Sequence, residues 1–158
     1  MEESVRVAGM ADREVLRYLA AEARAELSNK RGGDVVERLD PYRADSRAEI
    51  VNAVGDSSAT LLIGDIDGTP VGYGLMTLRT LVDGSLHATI EEIFVLPEAR
   101  SVGVGEAIIE ALLVGAREQG ATAVQSMALP GDRATKNFFE SQGMVARSIL
   151  VHRWLDGR

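Results

Sequence analysis

The stretch Ile90-Glu91-Glu92-Ile93-Phe94-Val95-Leu96-Pro97-Glu98-Ala99-Arg100-Ser101-Val102-Gly103-Val104-Gly105-Glu106 decides how this chain is read. It begins as an apolar strand, turns at Pro97, and passes through a loop with glycines at 103 and 105 into an amphipathic helical pattern. The first backbone N–H groups of a helix have no partner inside it and point outward, so a strand-loop-helix junction of this kind is suited to an anion. Gly103 and Gly105 carry no side chain that would keep a phosphate away from the backbone. A phosphorylated cofactor is the ligand this junction implies.

Three kinds of phosphate loop compete for the stretch. A Walker loop ends in Gly-Lys followed by Ser or Thr, and no Gly-Lys pair occurs in the chain. A dinucleotide fingerprint asks for a third Gly or Ala three residues after Gly105, where this chain has Ile108, and strand patterns already precede the unit. The third pattern, Arg-x-x-Gly-x-Gly, is met by Arg100, Gly103 and Gly105. Preceded by Glu-Glu-Ile-Phe-Val-Leu-Pro-Glu and followed by a long helix, it resembles the acyl-CoA pyrophosphate loop of the GNAT superfamily, the acyl-CoA-dependent N-acyltransferases.

The remaining sequence supports a mixed α/β chain. Ser4 to Ala8 reads as a short strand. Val15, Leu19, Ala23 and Leu27 recur every fourth residue in a helical pattern from Met10 to Ser28, which Asn29-Lys30-Arg31-Gly32-Gly33 breaks. Asp34 to Tyr42 fits no single period, and Pro41 argues against one continuous helix there. Ser46 to Val54 reads as a short helix closed by Gly55. Strands follow over Thr60–Ile66, Val71–Arg79 and His87–Leu96, with Asp67-Gly68 as a hairpin signal and a turn over Leu81–Ser85. A helix over Val104–Gln119 is ended by Gly120. A strand over Thr122–Ala128 and a helix over Asp132–Gln142, with Asp132 as N-cap, come next. Val145 to Trp154 reads as a last strand or two short ones. The order predicts a central, mostly antiparallel sheet flanked by helices in a single domain over residues 1–158, and it resembles the GNAT fold throughout.

Composition narrows the function classes. The chain has 158 residues, no cysteine, and a formal charge of −7. Thiolate metal sites, disulfides and an acyl-cysteine intermediate are therefore excluded, and two histidines are too few for a His-rich metal site. Acidic and basic residues are mixed along the sequence with no basic stripe, which disfavours a nucleic-acid partner and a toxin acting on charged tRNA. No apolar run approaches the length of a membrane helix. The start Met1-Glu2-Glu3 lacks the basic and apolar regions of a signal peptide, so a cytoplasmic protein is expected.

The resemblance assigns expected roles. The strand before the loop would splay from its neighbour, leaving the main chain of Phe94, Val95 and Leu96 to pair with pantetheine like an added strand. Arg100, Ser101, Val102, Gly103, Val104, Gly105 and Glu106 would enclose the pyrophosphate of acetyl-CoA. Lys136, near a helix N-terminus where a cation is unfavourable by dipole alone, would be compensated by a phosphate. Glu91 and Glu92 stand on the central strand, where charge is costly unless paired or used. Alternation sends them to opposite faces unless a bulge intervenes. Glu91 falls where several members carry a Glu that relays the amine proton through water, so it is expected as general base, with Glu92 as the other candidate.

The family's Tyr, which protonates the departing thiolate, falls on Phe139, and Asp132 stands in place of the usual Asn toward pantetheine. A phenyl ring donates no proton. Water, Tyr73 or Ser126 would then serve the sulfur, or the domain is an acyl-CoA sensor with a degenerate site. Tyr18 and Tyr42 are candidates for lining the acceptor cleft. His87 and His152 read as ordinary strand residues and Trp154 as a packing anchor. The reading that results is an N-acetyltransferase passing acetyl from acetyl-CoA to a primary amine of a small molecule or peptide, by direct attack in a ternary complex. No metal, membrane or nucleic acid is expected to take part. The resemblance also implies a homodimer, since many members pair.

Overall fold

The computed structural model describes residues 1–39 and 50–158. Five strands, β1 (Glu3–Val7), β2 (Ala59–Ile66), β3 (Thr69–Thr80), β4 (Leu86–Val95) and β5 (Ala121–Gln125), lie in one sheet in chain order. The first three pairings are antiparallel and β4–β5 is parallel. Helices α1 (Arg13–Ser28), α2 (Gly33–Leu39), α3 (Val104–Glu118) and α4 (Arg133–Ser141) accompany the sheet, and residues 50–52 are helical.

α3 lies against every strand of the sheet on one face. Its period-3.6 stripe buries Val104, Ile108, Ile109 and Leu112 almost completely, each worth roughly 1.5–3 kcal/mol in removed apolar surface. Two strand glycines allow that close approach. A Cβ at Gly64 would stand 2.6 Å from Val104 Cγ1, and one at Gly74 would stand 2.5 Å from Ile108 Cγ2. Any larger residue at either position would push α3, and the loop that begins it, off the sheet. Neighbouring strand positions face opposite ways. Tyr73 accordingly points to the other face, where it borders a cleft with Ala20 and Ala23 of α1.

Two departures from regular pairing position the site. The β3–β4 register runs Leu75 opposite Glu92 and then Met76 opposite Ile90, so Glu91 is an extra residue in a β-bulge. The β4–β5 ladder stops at Thr89 opposite Gln125. Ser126 adds one last link, its hydroxyl donating to the Ile90 carbonyl at 2.9 Å. Past that point β4 continues to Val95 without β5 beside it.

The expected elements from Thr60 to Gln142 form within a few residues of their predicted ends, with β5 stopping at Gln125 rather than Ala128. Asp132 caps α4, its carboxylate accepting from the Thr135 N–H at 3.2 Å. The predicted strand over Val145–Trp154 does not form. Its Val-Ile-Val content favours a strand only where a neighbouring ladder and a covering face exist. Here Ile149, Leu150 and Val151 stay exposed. Trp154 instead takes the Arg158 and Arg38 guanidinium groups at 4.7 and 5.1 Å from its ring centroid and His152 edge-on at 4.6 Å. Tyr42 and residues 46–49 of the expected Ser46–Val54 helix lie outside the described residues. Among the described residues, no helix is long and apolar enough to cross a membrane.

Candidate active site

A cleft of about 120 Å³ opens where β4 and β5 part, bounded by α1 on one side and the start of α4 on the other. The bulge decides its chemistry. Both Glu91 and Glu92 line it, although regular alternation would have turned one of them away. Each carboxylate accepts a hydroxyl hydrogen bond from β3. Thr77 Oγ1 donates to Glu91 Oε1 at 2.6 Å, and Tyr73 Oη donates to Glu92 Oε2 at 2.5 Å. Tyr73 itself is fully buried, its ring tilted against Phe94 at 6.2 Å, and its hydroxyl supports Glu92 from the cleft wall.

Beside this pair, among the described residues, the ladder with β5 does not extend to Phe94 and Val95. An extended amide-bearing chain can use such an edge as a further strand. The strand ends at Leu96, whose N–H donates to the Val71 carbonyl, and a single 3-10 turn over Pro97–Ala99 leads into the loop. Ser101 and Gly103 both adopt left-handed backbone, φ 68° and 93°. This lets the chain reverse directly into α3 at Val104, with Glu106 exposed in its first turn. Gly103 is thus required for its backbone conformation. Gly105 has a different neighbour: a Cβ there would rest 3.5 Å from the Phe138 ring of α4.

Arg100 is held at the end of β4 by three contacts. Its Nε donates to the Val95 carbonyl at 2.9 Å and its Nη2 to Glu26 Oε2 at 2.5 Å, while its guanidinium stacks 5.6 Å from the Phe94 ring centroid. Lys30, one turn on from Glu26, lies 3.0 Å from Glu26 Oε1 and 2.8 Å from Asp132 Oδ2. The four side chains form an alternating ionic chain that joins α1 to the loop and to α4. Burial pushes the carboxyls of Glu26 and Asp132 up, but the cations beside them hold both below the usual range. Burial pushes Lys30 down, and its two carboxylate partners more than reverse this.

Phe139 lines the cleft at 7 % exposure and meets Phe138 edge-on at 5.6 Å. Lys136 points elsewhere, paired with Glu140 at 2.6 Å on the exposed face of α4. Tyr18 is 51 % exposed and borders no part of the cleft. Sequence reading named Tyr73 as a candidate hydroxyl but missed Glu26 and Lys30 as companions of the site. Their only signal was the i, i+4 spacing of Glu26 and Lys30, which marks an ordinary helix-surface pair equally well.

Residues 16–144 match the acetyltransferase (GNAT) family. The chain belongs to that family, and the mixed five-stranded sheet is the family's fold. Three solved structures with this fold illustrate its range. The ribosomal-protein-alanine N-acetyltransferase of Brucella melitensis biovar Abortus 2308 is 19 % identical, with 97 % of this chain and 99 % of that one covered and a TM-score of 0.70. An aminoglycoside acetyltransferase from an uncultured soil metagenomic sample is 17 % identical, with 99 % and 97 % covered and a TM-score of 0.71. The glucosamine-6-phosphate N-acetyltransferase of Arabidopsis thaliana is 17 % identical, with 99 % and 100 % covered and a TM-score of 0.69. No curated protein is matched by sequence.

Proposed function

We propose that this acetyltransferase moves an acetyl group from acetyl-CoA to a primary amine by direct attack within a ternary complex. The observation that carries the reading is the end of the β4–β5 ladder at Thr89, directly upstream of the loop that Gly103 turns into α3. The strand end past the β5 ladder suits the amides of pantetheine, with Phe94, Val95 and Leu96 supplying main-chain groups. The backbone from Ser101 to Glu106 suits the pyrophosphate at a helix start. Arg100 would add its charge by exchanging Glu26 for phosphate. Asp132 and Phe139 border the same cleft, whereas Lys136, paired with Glu140, would reach a phosphate only by leaving that partner. The bound thioester supplies the activated acyl group; this chain's residues orient it and handle protons.

An amine attacks only when neutral. Glu91, oriented by the Thr77 hydroxyl, accepts the ammonium proton through water and passes it to solvent. The acceptor is a small-molecule or peptide amine; the neighbours named above span a protein, an aminoglycoside and an amino sugar phosphate. The test is release of free CoA from acetyl-CoA across a panel of amines. Replacing Glu91 with Gln is expected to lower kcat about 10²-fold while calorimetry finds the same acetyl-CoA affinity. Phe139 supports a second reading, an acyl-CoA sensor that lacks the thiolate acid. Tight acetyl-CoA binding with CoA release no faster than buffer for every amine would establish that second reading.

A further inference from the structure

We infer that Glu92 carries the second proton of the reaction, from nitrogen to sulfur, in place of the hydroxyl that Phe139 lacks. The inference rests on the acetyltransferase reading above and deepens its chemistry. Acyl transfer from a thioester to an ammonium ion handles two protons. One leaves the ammonium before attack and ends in solvent. After attack the new C–N bond leaves nitrogen positively charged. The second proton leaves that nitrogen as the C–S bond breaks, and the departing thiolate takes it up. The products are the amide, the free thiol and one proton in solvent, so the step balances without any further reactant.

Nitrogen and sulfur are bonded to the same carbon at that moment. A single carboxyl group beside that carbon can accept from one and deliver to the other, with no separate acid needed. The structure puts two carboxylates in the cleft where regular alternation would put one. The bulge at Glu91 turns both Glu91 and Glu92 to the side that α1 covers. One carboxylate is available for each proton. Glu92 is the one braced by a buried group, with the Tyr73 hydroxyl donating at 2.5 Å. Tyr73 is a positioning residue in this scheme, buried at the border of the cleft and acting through Glu92. Ser126, the other hydroxyl at the divergence, donates to the Ile90 carbonyl and holds the end of the ladder. Phe139 completes the cleft as an apolar wall.

The test compares two acetyl donors, acetyl-CoA and an acetyl thioester of a more acidic aryl thiol, which departs as a thiolate unaided. On acetyl-CoA, Glu92→Gln is expected to lose about 10²-fold in kcat/KM; on the aryl thioester, each variant measured against wild type, the loss should shrink to within about threefold. Glu91→Gln should lose equally on both donors, because the ammonium proton leaves before the thiol matters. Acetyl-CoA affinity by calorimetry should stay unchanged in both variants. In the protein without acetyl-CoA, carbon-13 NMR of labelled glutamate carboxyls should show the Glu92 titration moving to higher pH in Tyr73→Phe, since a donor to the anion is lost. Equal losses for Glu92→Gln on the two donors, or an unmoved titration in Tyr73→Phe, would overturn the assignment while leaving the acetyltransferase reading intact. Wild-type protein that releases no CoA for any amine would overturn both.

Discussion

Glu26 on α1 accepts a hydrogen bond from Arg100, 74 residues away in the chain, at 2.5 Å. The pair sets a carboxylate against the very guanidinium proposed to meet a diphosphate. Arg100 has a second acceptor in the Val95 carbonyl, so it stays anchored to the strand end when Glu26 is lost. Glu26→Gln is therefore expected to tighten CoA binding several-fold by removing the competing charge, and Arg100→Ala to weaken it by about 10- to 150-fold, in line with a charge-assisted hydrogen bond of about 1.5–3 kcal/mol. Calorimetry with free CoA measures both. Weaker binding in Glu26→Gln would mean that the carboxylate orients Arg100 for the ligand rather than withholding it.

Gly74→Ala should destabilise the fold by about 1–3 kcal/mol, the usual penalty for overfilling a packed core. The added methyl would meet Ile108 Cγ2 at 2.5 Å and Leu112 Cδ1 at 2.9 Å. The Ile108 branch lies close to its own backbone and yields little, so α3 moves instead. Urea unfolding reports the loss. Acetyl-CoA affinity should fall with it, because the loop at Gly103 travels with the helix it starts.

Acid should unfold the N-terminal corner first. Asp12 accepts from two nitrogens of Arg6 at 2.8 Å each and from the Gly9 N–H at 2.8 Å. The Arg6 hydrogen bonds hold its carboxyl below the ordinary 3.8, against the opposing effect of burial. A carboxyl depressed in the fold contributes stability that is complete above its unfolded value and disappears as pH falls through the folded one. Thermal denaturation should thus show a melting temperature that is level near neutrality and drops below about pH 4. Asp12→Asn should lower the plateau and flatten the acid limb; an acid limb as steep as that of the parent protein would assign it to other carboxyls.

Phe139→Tyr introduces a hydroxyl where the resemblance to the family implies one. If Glu92 already serves the sulfur, kcat with acetyl-CoA should change by less than about threefold. The buried ring, packed edge-on against Phe138, would also have to accommodate a polar atom at some cost in stability. A gain of tenfold or more, on the scale of general acid catalysis, would show that the parent cleft lacks a proton donor.

Legibility in the sequence followed locality. β2, β3, β4 and α3 were readable because each carries its own period and its own stop signal, and Gly103 was singled out as a residue that lets a phosphate approach the backbone, while its left-handed conformation came only with the structure. The opening between β4 and β5 was available only through family resemblance; a strand's composition does not say where its ladder ends. The bulge at Glu91 was raised as a condition and not foreseen, since two adjacent glutamates look the same in a regular strand and in a bulged one. The partnership of Glu26 with Arg100 joins distant parts of the chain and leaves no local trace. Val145 to Trp154 was misread for the opposite reason: its strand-favouring residues are local, whereas the neighbouring strand they would need is not.

The inserted residue on β4 makes the acidic pair a matter of counting. Deleting one residue between Ile90 and Phe94 would restore even pairing with β3 and leave any two adjacent side chains on opposite faces, one toward α1 and the other toward α3. Transplanting Glu91-Glu92 into an unkinked strand of another scaffold would therefore reproduce the letters and lose the arrangement. An engineer borrowing this chemistry has to copy the offset in the ladder along with the amino acids.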